Sequence, residues 1–270
     1  MSTPQVTVDL GTHTLRIATR GNLDTIDQEA LVVSTYSGKR EKVIAVGNSA
    51  LDFSVASLKM RRRRPYSFGT FTDTLALGIL FSAFLPGKRK LLPFDFSKMY
   101  INMYATATDV ERQMLRSFLR TLGFEPIVVP NPIANALGAG WSLEKTKPFV
   151  VLEIGVGVIE VAVLSYGVVL QAVRFPFFGS ELYERKKLHP ERLAQLGAFF
   201  IDFLETLGSS VHAAAIEQGV LLTGVAPMLQ EIAVFLSDQA ALPVFVLPDG
   251  THTCIRGLNV CAEQAYEKMF

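Results

Sequence analysis

Short apolar runs broken by glycine turns open both halves of the chain. Val6 to Leu10 meets Gly11-Thr12 and resumes as Leu15-Arg16-Ile17-Ala18, the pattern of a strand, a tight turn and a second strand. Phe149 to Ile154, the turn Gly155-Val156-Gly157 and Ile159 to Leu164 repeat it, and Gly167 leads into a third strand, Val168 to Arg174. One meander per half is an internal repeat. Further strands are predicted over 30–34 and 42–46, joined by Ser37-Gly38-Lys39-Arg40, and over 99–104, 125–129, 219–224 and 244–247. A helical period of apolar residues predicts helices over 73–85, 108–122, 132–140, 192–207, 227–240 and 255–269, with a short one over 48–53. The clearest is 108–122: Thr108 and Glu111 have the spacing of a capping box, and Val110, Met114, Leu115, Phe118 and Leu122 form the apolar stripe. Strands alternating with helices predict an α/β fold.

Composition narrows the function classes. With 270 residues and 49% hydrophobic content, the chain can build one large domain or two lobes with real cores. A net charge of +1 gives no global field toward nucleic acid, so none is expected as a partner. Two cysteines, Cys254 and Cys261, make no disulfide framework, and a cytoplasmic setting is expected. Met1 to Gln5 runs straight into a strand, so no secretory leader is expected. The apolar run Leu75 to Leu85 is about half the length that spans a bilayer.

Candidate chemistry is concentrated at the glycine turns. In Asp9-Leu10-Gly11-Thr12, backbone N–H groups and a hydroxyl can meet a phosphate while Asp9 holds a metal-bound water. A plain hairpin with a glycine bulge reads the same residues equally well. The run Arg61-Arg62-Arg63-Arg64 is either a solvated loop or a contact for anionic lipid or an acidic partner, and Lys88-Arg89-Lys90 repeats the theme after the apolar helix. Phe177 and Phe178 are either core or a partner-binding edge. His13 reads as a loop histidine, while His189, His212 and His252 lack metal-ligand spacing.

The order Asp9-Leu10-Gly11-Thr12, Glu153-Ile154-Gly155-Val156-Gly157, Leu222-Thr223-Gly224 resembles the two phosphate motifs and the adenosine motif of the actin/Hsp70/sugar-kinase superfamily. Within it the chain is most similar to the bacterial MreB family. Val43 to Asn48, Thr108 to Arg112, Asn131-Pro132-Ile133-Ala134, Ala136 to Gly140, Glu160 to Val163 and Gly219 to Gly224 carry the likeness across nearly the whole chain. The resemblance implies an actin-like, ribonuclease H-like duplicated fold: a first lobe over 1–140, whose small subdomain covers about 21–64, and a second lobe over 141–270. If any nucleotide binds, the resemblance implies that Asp9, Gly11, Thr12, Glu153, Gly155, Gly157 and Gly224 supply the residual contacts.

Departures from the family pattern point away from hydrolysis. The position of the water-orienting acid before the Pro-x-Ala helix is Asn131, which cannot accept a proton as a general base. The second phosphate loop has Val156, Val158 and Ile159 in place of glycine and hydroxyl-bearing residues, and the adenosine loop continues as Val225-Ala226. Between Gly179-Ser180-Glu181-Leu182 and Arg192 only about ten residues replace a small subdomain, too few for a packed unit, so about three subdomains are expected. The expected function is a non-enzymatic MreB-like scaffold or filament subunit, working through self-association or a cytoskeletal or membrane-associated partner. No cofactor is expected. The alternatives are an ATP–Mg²⁺-binding actin-like or Hsp70-like ATPase or chaperone, and a small-molecule kinase, for which no base aspartate is found. The five residues before the first strand are too few for a membrane-binding helix, so contact at the inner membrane face is expected to be electrostatic and salt-sensitive.

Overall fold

In the computed structural model the described residues are 5–19, 22–37, 40–53, 60–67, 70–85, 97–144, 147–175, 179–184, 187–224 and 228–264. They group into two compact units, Met1–Ile101 with Thr108–Val128, and Asn102–Ala107 with Val129–Phe270.

The first unit opens with the antiparallel meander β1 (Gln5–Leu10), β2 (Thr14–Thr19) and β3 (Asn22–Glu29). A small sheet follows, built from β4 (Val32–Ser37), β5 (Arg40–Val46) and β6 (Met60–Arg63) in the order β5-β4-β6. Next come the hairpin of β7 (Tyr66–Ser67) and β8 (Thr70–Phe71), then α1 (Thr74–Phe84), β9 (Ser97–Met103), α2 (Asp109–Thr121) and β10 (Phe124–Pro130). The main sheet runs β10-β9-β1-β2-β3, with β1 and β9 parallel. Val8, Leu15, Ile17, Leu77, Leu80, Met99, Ile101, Leu115 and Leu119 are buried. The predicted capping box forms: Thr108 Oγ1 accepts from Glu111 N–H while Glu111 accepts from Thr108 N–H.

The second unit contains α3 (Asn131–Gly138), then β11 (Phe149–Ile154), β12 (Ile159–Ser165) and β13 (Val168–Arg174) as an antiparallel meander. The short pair β14 (Tyr183–Glu184) and β15 (Lys187–Leu188) precedes α4 (Pro190–Thr206) and α5 (Ser209–Gln218). The unit closes with β16 (Val220–Gly224), α6 (Leu229–Ala240), β17 (Val244–Val246) and α7 (Thr253–Gln264). Its sheet runs β13-β12-β11-β16-β17. In both units a meander is followed by two strands added beyond its first, so the repeat read from the glycine turns extends to the strand order. Leu196, Phe200, Ile232 and Leu236 pack with the inner side chains of β11 and β12, each worth about 1.5–3 kcal/mol of burial. Elsewhere α3 and α7 meet backbone to backbone. A Cβ on Gly138 would lie 1.8 Å from Thr253 O, and one on Gly257 would lie 1.7 Å from Ala134 O.

Several elements escape the hydrophobic pattern, β3 and α5 among them. In β3, Ile26 stands among acids and amides, and pairing with Ile17 of β2 makes it a strand. α5 has no strong apolar face, and Ala214 and Ala215 supply its buried contacts. The arginine run is not a loop. Its first three residues lie in β6, at the edge of the small sheet, where charged side chains are tolerated. Among the described residues, the segment expected to lack a small subdomain carries the short β14–β15 pair before α4.

Candidate functional site

Asp9 is the last residue but one of β1, beside the turn, and is 6% exposed. Its cross-strand neighbour on β2 is Arg16, whose own neighbour on β3 is Asp27. Arg16 Nη1 donates to Asp9 Oδ2 at 3.0 Å and Arg16 Nε to Asp27 Oδ2 at 3.1 Å. Burial pulls the Arg16 pKa down, but the two carboxylates outweigh it and hold it above the ordinary value. Gly11 N–H is taken by Thr14 O at 2.9 Å, while Thr12 Oγ1 is buried without a partner. Arg64 Nη1 donates to Thr12 O, His13 O and Glu29 Oε2. His13 stands 4.0 Å from Glu29, and burial, reinforced by Arg64, holds its pKa below the ordinary value. The turn is thus gripped by two internal guanidinium groups.

The equivalent acid of the second unit is Glu153, at the end of β11. Asn131 Nδ2 donates to both its oxygens, at 3.3 and 3.0 Å, and Asn135 Nδ2 adds a bond of 3.1 Å to Oε2. The sequence reading singled out Asn131 but not Asn135. The signal was present, because positions four apart on α3 share a helix face. Asn131 is therefore a donor to a carboxylate, and its Oδ1 is buried without a partner. Asn131→Asp is expected to place a second carboxylate against Glu153. One carboxyl of the pair then has a raised pKa, so the variant is close to wild type at or below ordinary carboxyl pKa values and loses stability as pH rises through the raised one. At neutral pH, in chelator, the loss is about 1–3 kcal/mol by urea denaturation. Equal stability at both pH values would contradict the role of the amide.

In the turn after β11, Gly155 N–H bonds Val158 O at 2.8 Å, and Ser180 N–H bonds Val156 O at 3.1 Å. Val158 and Ile159 are buried in the unit, and Gly157 is buried too. Gly224 has φ +129°, and a Cβ there would lie 2.2 Å from Ile154 O, so this glycine is required by the approach of β16 to β11. Val225, Ala226, Phe177, Phe178, Lys88, Arg89 and Lys90 lie outside the described residues.

The four arginines have different surroundings. Arg63 bonds both oxygens of Glu41 and pairs with Asp73 at 2.9 Å, off hydrogen-bond alignment, while Arg64 serves the β1 turn. Arg61 and Arg62 are exposed, with Arg61 donating to Tyr36 Oη. The pairing register puts Arg62 on the face shared by Arg40 and Lys42, so the cationic surface of this subdomain draws on two strands.

Sequence reasoning also missed a buried cluster in the second unit. Glu160, 2% exposed, accepts from Ala105 N–H at 3.1 Å, Thr106 N–H at 3.0 Å and Thr106 Oγ1 at 2.6 Å. Arg174, cross-strand from Glu160, donates to Thr106 Oγ1 and lies over the Tyr104 ring. Burial raises the Glu160 pKa despite these bonds. Cys254 and Cys261 are buried thiols, and burial pushes Cys261 up to about 12. Among the described residues no cluster of metal-ligating side chains occurs and no helix is long and apolar enough to cross a membrane.

Duplicated five-stranded sheets with a small sheet grafted on the first make an actin-like fold. MreB5 of Spiroplasma citri bound to AMPPNP superposes with a TM-score of 0.84 at 16% identity, over 100% of this chain and 98% of that one. The MamK double helical filament gives a TM-score of 0.73 at 13% identity, over 96% of this chain and 98% of that one. The cell shape-determining protein MreB of Pasteurella multocida is 23% identical, over 93% of this chain and 90% of its own length. The profile of the MreB/Mbl protein family matches residues 3–185, and the chain belongs to that family.

Proposed function

We propose that this chain is an MreB-type cytoskeletal subunit or scaffold that assembles without a cycle of nucleotide hydrolysis. The observation that carries the reading is that both acids at the glycine turns are held by the protein's own donors: Asp9 by Arg16, and Glu153 by Asn131 and Asn135. A Mg²⁺–triphosphate would have to compete with a guanidinium at one and two amides at the other. At the position of the water-orienting acid, Asn131 offers no proton acceptor of useful basicity. The match to the MamK filament, a relative that self-associates, supports assembly as the retained activity. Sedimentation and negative-stain microscopy test the reading. The same polymer mass is expected with no nucleotide, with ADP and with ATP–Mg²⁺, and without phosphate release. Polymer seen only with ATP–Mg²⁺, accompanied by phosphate release, would overturn it.

A further inference from the structure

The acid that the actin-like pattern assigns to a metal-bound water already has a cation beside it. Asp9, Arg16 and Asp27 form one cross-strand row on β1, β2 and β3. Side-chain exposures are 8% for Asp9, 6% for Arg16 and 45% for Asp27, so the guanidinium is the most deeply placed charge of the row. Two of its five N–H donors are spent on the two acids, Nη1 on Asp9 Oδ2 at 3.0 Å and Nε on Asp27 Oδ2 at 3.1 Å. Asp9 Oδ2 and Asp27 Oδ2, the oxygens Arg16 holds, are thus already engaged and do not stand open to a divalent ion between these acids. A guanidinium never loses its proton in a protein and needs no coordination shell, so its charge is permanent where that of an exchangeable metal is conditional. A second guanidinium, Arg64, fixes the Thr12 and His13 carbonyls of the same turn. The donor set therefore does not fit a metal while Arg16 is present.

We propose that Arg16 is a resident cation standing in for a divalent metal at Asp9, so that the β1–β2 turn keeps its charge balance with no metal bound. The inference deepens the nucleotide-independent reading, and its test contains no nucleotide, so the two can fail separately. Thermal unfolding is followed in chelator and in millimolar Mn²⁺. The wild-type midpoint is expected to be the same in both. Arg16→Gln leaves two acids facing each other; its midpoint falls by several degrees in chelator and recovers in Mn²⁺. Adding Asp9→Asn to that variant abolishes the Mn²⁺ response, which separates a created site from a general ion effect. Should Arg16→Gln fail to fold in chelator, Arg16→Lys decides: it retains the charge and is expected to fold and to ignore Mn²⁺. A wild-type midpoint raised by Mn²⁺ and made insensitive by Asp9→Asn would overturn the proposal. So would a folded Arg16→Gln indifferent to Mn²⁺, or a Mn²⁺ response in Arg16→Lys.

Discussion

Gly257→Ala is expected to cost about 3 kcal/mol or more, because the added methyl meets backbone that cannot step aside. Its Cβ would stand 1.7 Å from Ala134 O and 2.9 Å from Gly138 N. The reciprocal contact, Gly138 against Thr253 O at 1.8 Å, means that α3 and α7 touch through two glycines, and relief at one requires moving the helix that the other holds. Asn131 and Asn135 ride on α3, so displacement also disturbs the grip on Glu153. Gly208→Ala is the control, since nothing lies within 4 Å of the added Cβ there. Chemical denaturation of the two variants checks this. A Gly257→Ala curve that coincides with Gly208→Ala would mean that the helices do not pack this closely.

Removing the buried carboxylate should be comparably severe. Glu160→Ala leaves the Ala105 and Thr106 amides without their acceptor and Arg174 without its counter-charge, for an expected loss of about 3–5 kcal/mol. The pH dependence has a definite sign. Burial raises the folded-state pKa of Glu160, so its contribution is full below the ordinary carboxyl value and declines as pH rises through the raised one. The stability gap between wild type and Glu160→Ala is therefore expected to be wider at pH 5 than at pH 7.5 in urea titrations. A gap that widens with pH would show that the carboxylate's bonds outweigh its desolvation.

What the sequence disclosed follows from how local each signal is. The Thr108–Glu111 capping box spans three residues, and it forms as read. The glycine turns and the doubled meander were equally visible, since a strand–turn–strand pattern is contained in one short window. The arginine run misled because four neighbours in sequence are not neighbours in a strand. Alternate side chains face opposite ways, which sent Arg63 to Glu41 and left Arg62 outside. Arg16 lay in the opening motif, yet its meaning depends on cross-strand register with Asp9 and Asp27, which no window along the chain displays. Glu160 lies in a stretch that carries the family likeness, while its partners lie 54 and 55 residues away. Substitutions within a motif could be read directly; the internal donors that had claimed its acids could not.

On the proposed reading, Asp9 and Glu153 are engaged by the protein itself and do not serve a Mg²⁺–nucleotide. Isothermal titration of ATP–Mg²⁺ into the full chain measures this directly. No binding in the micromolar range is expected, and the same flat titration for Asp9→Ala. Micromolar affinity that requires Mg²⁺ and vanishes in Asp9→Ala would contradict it.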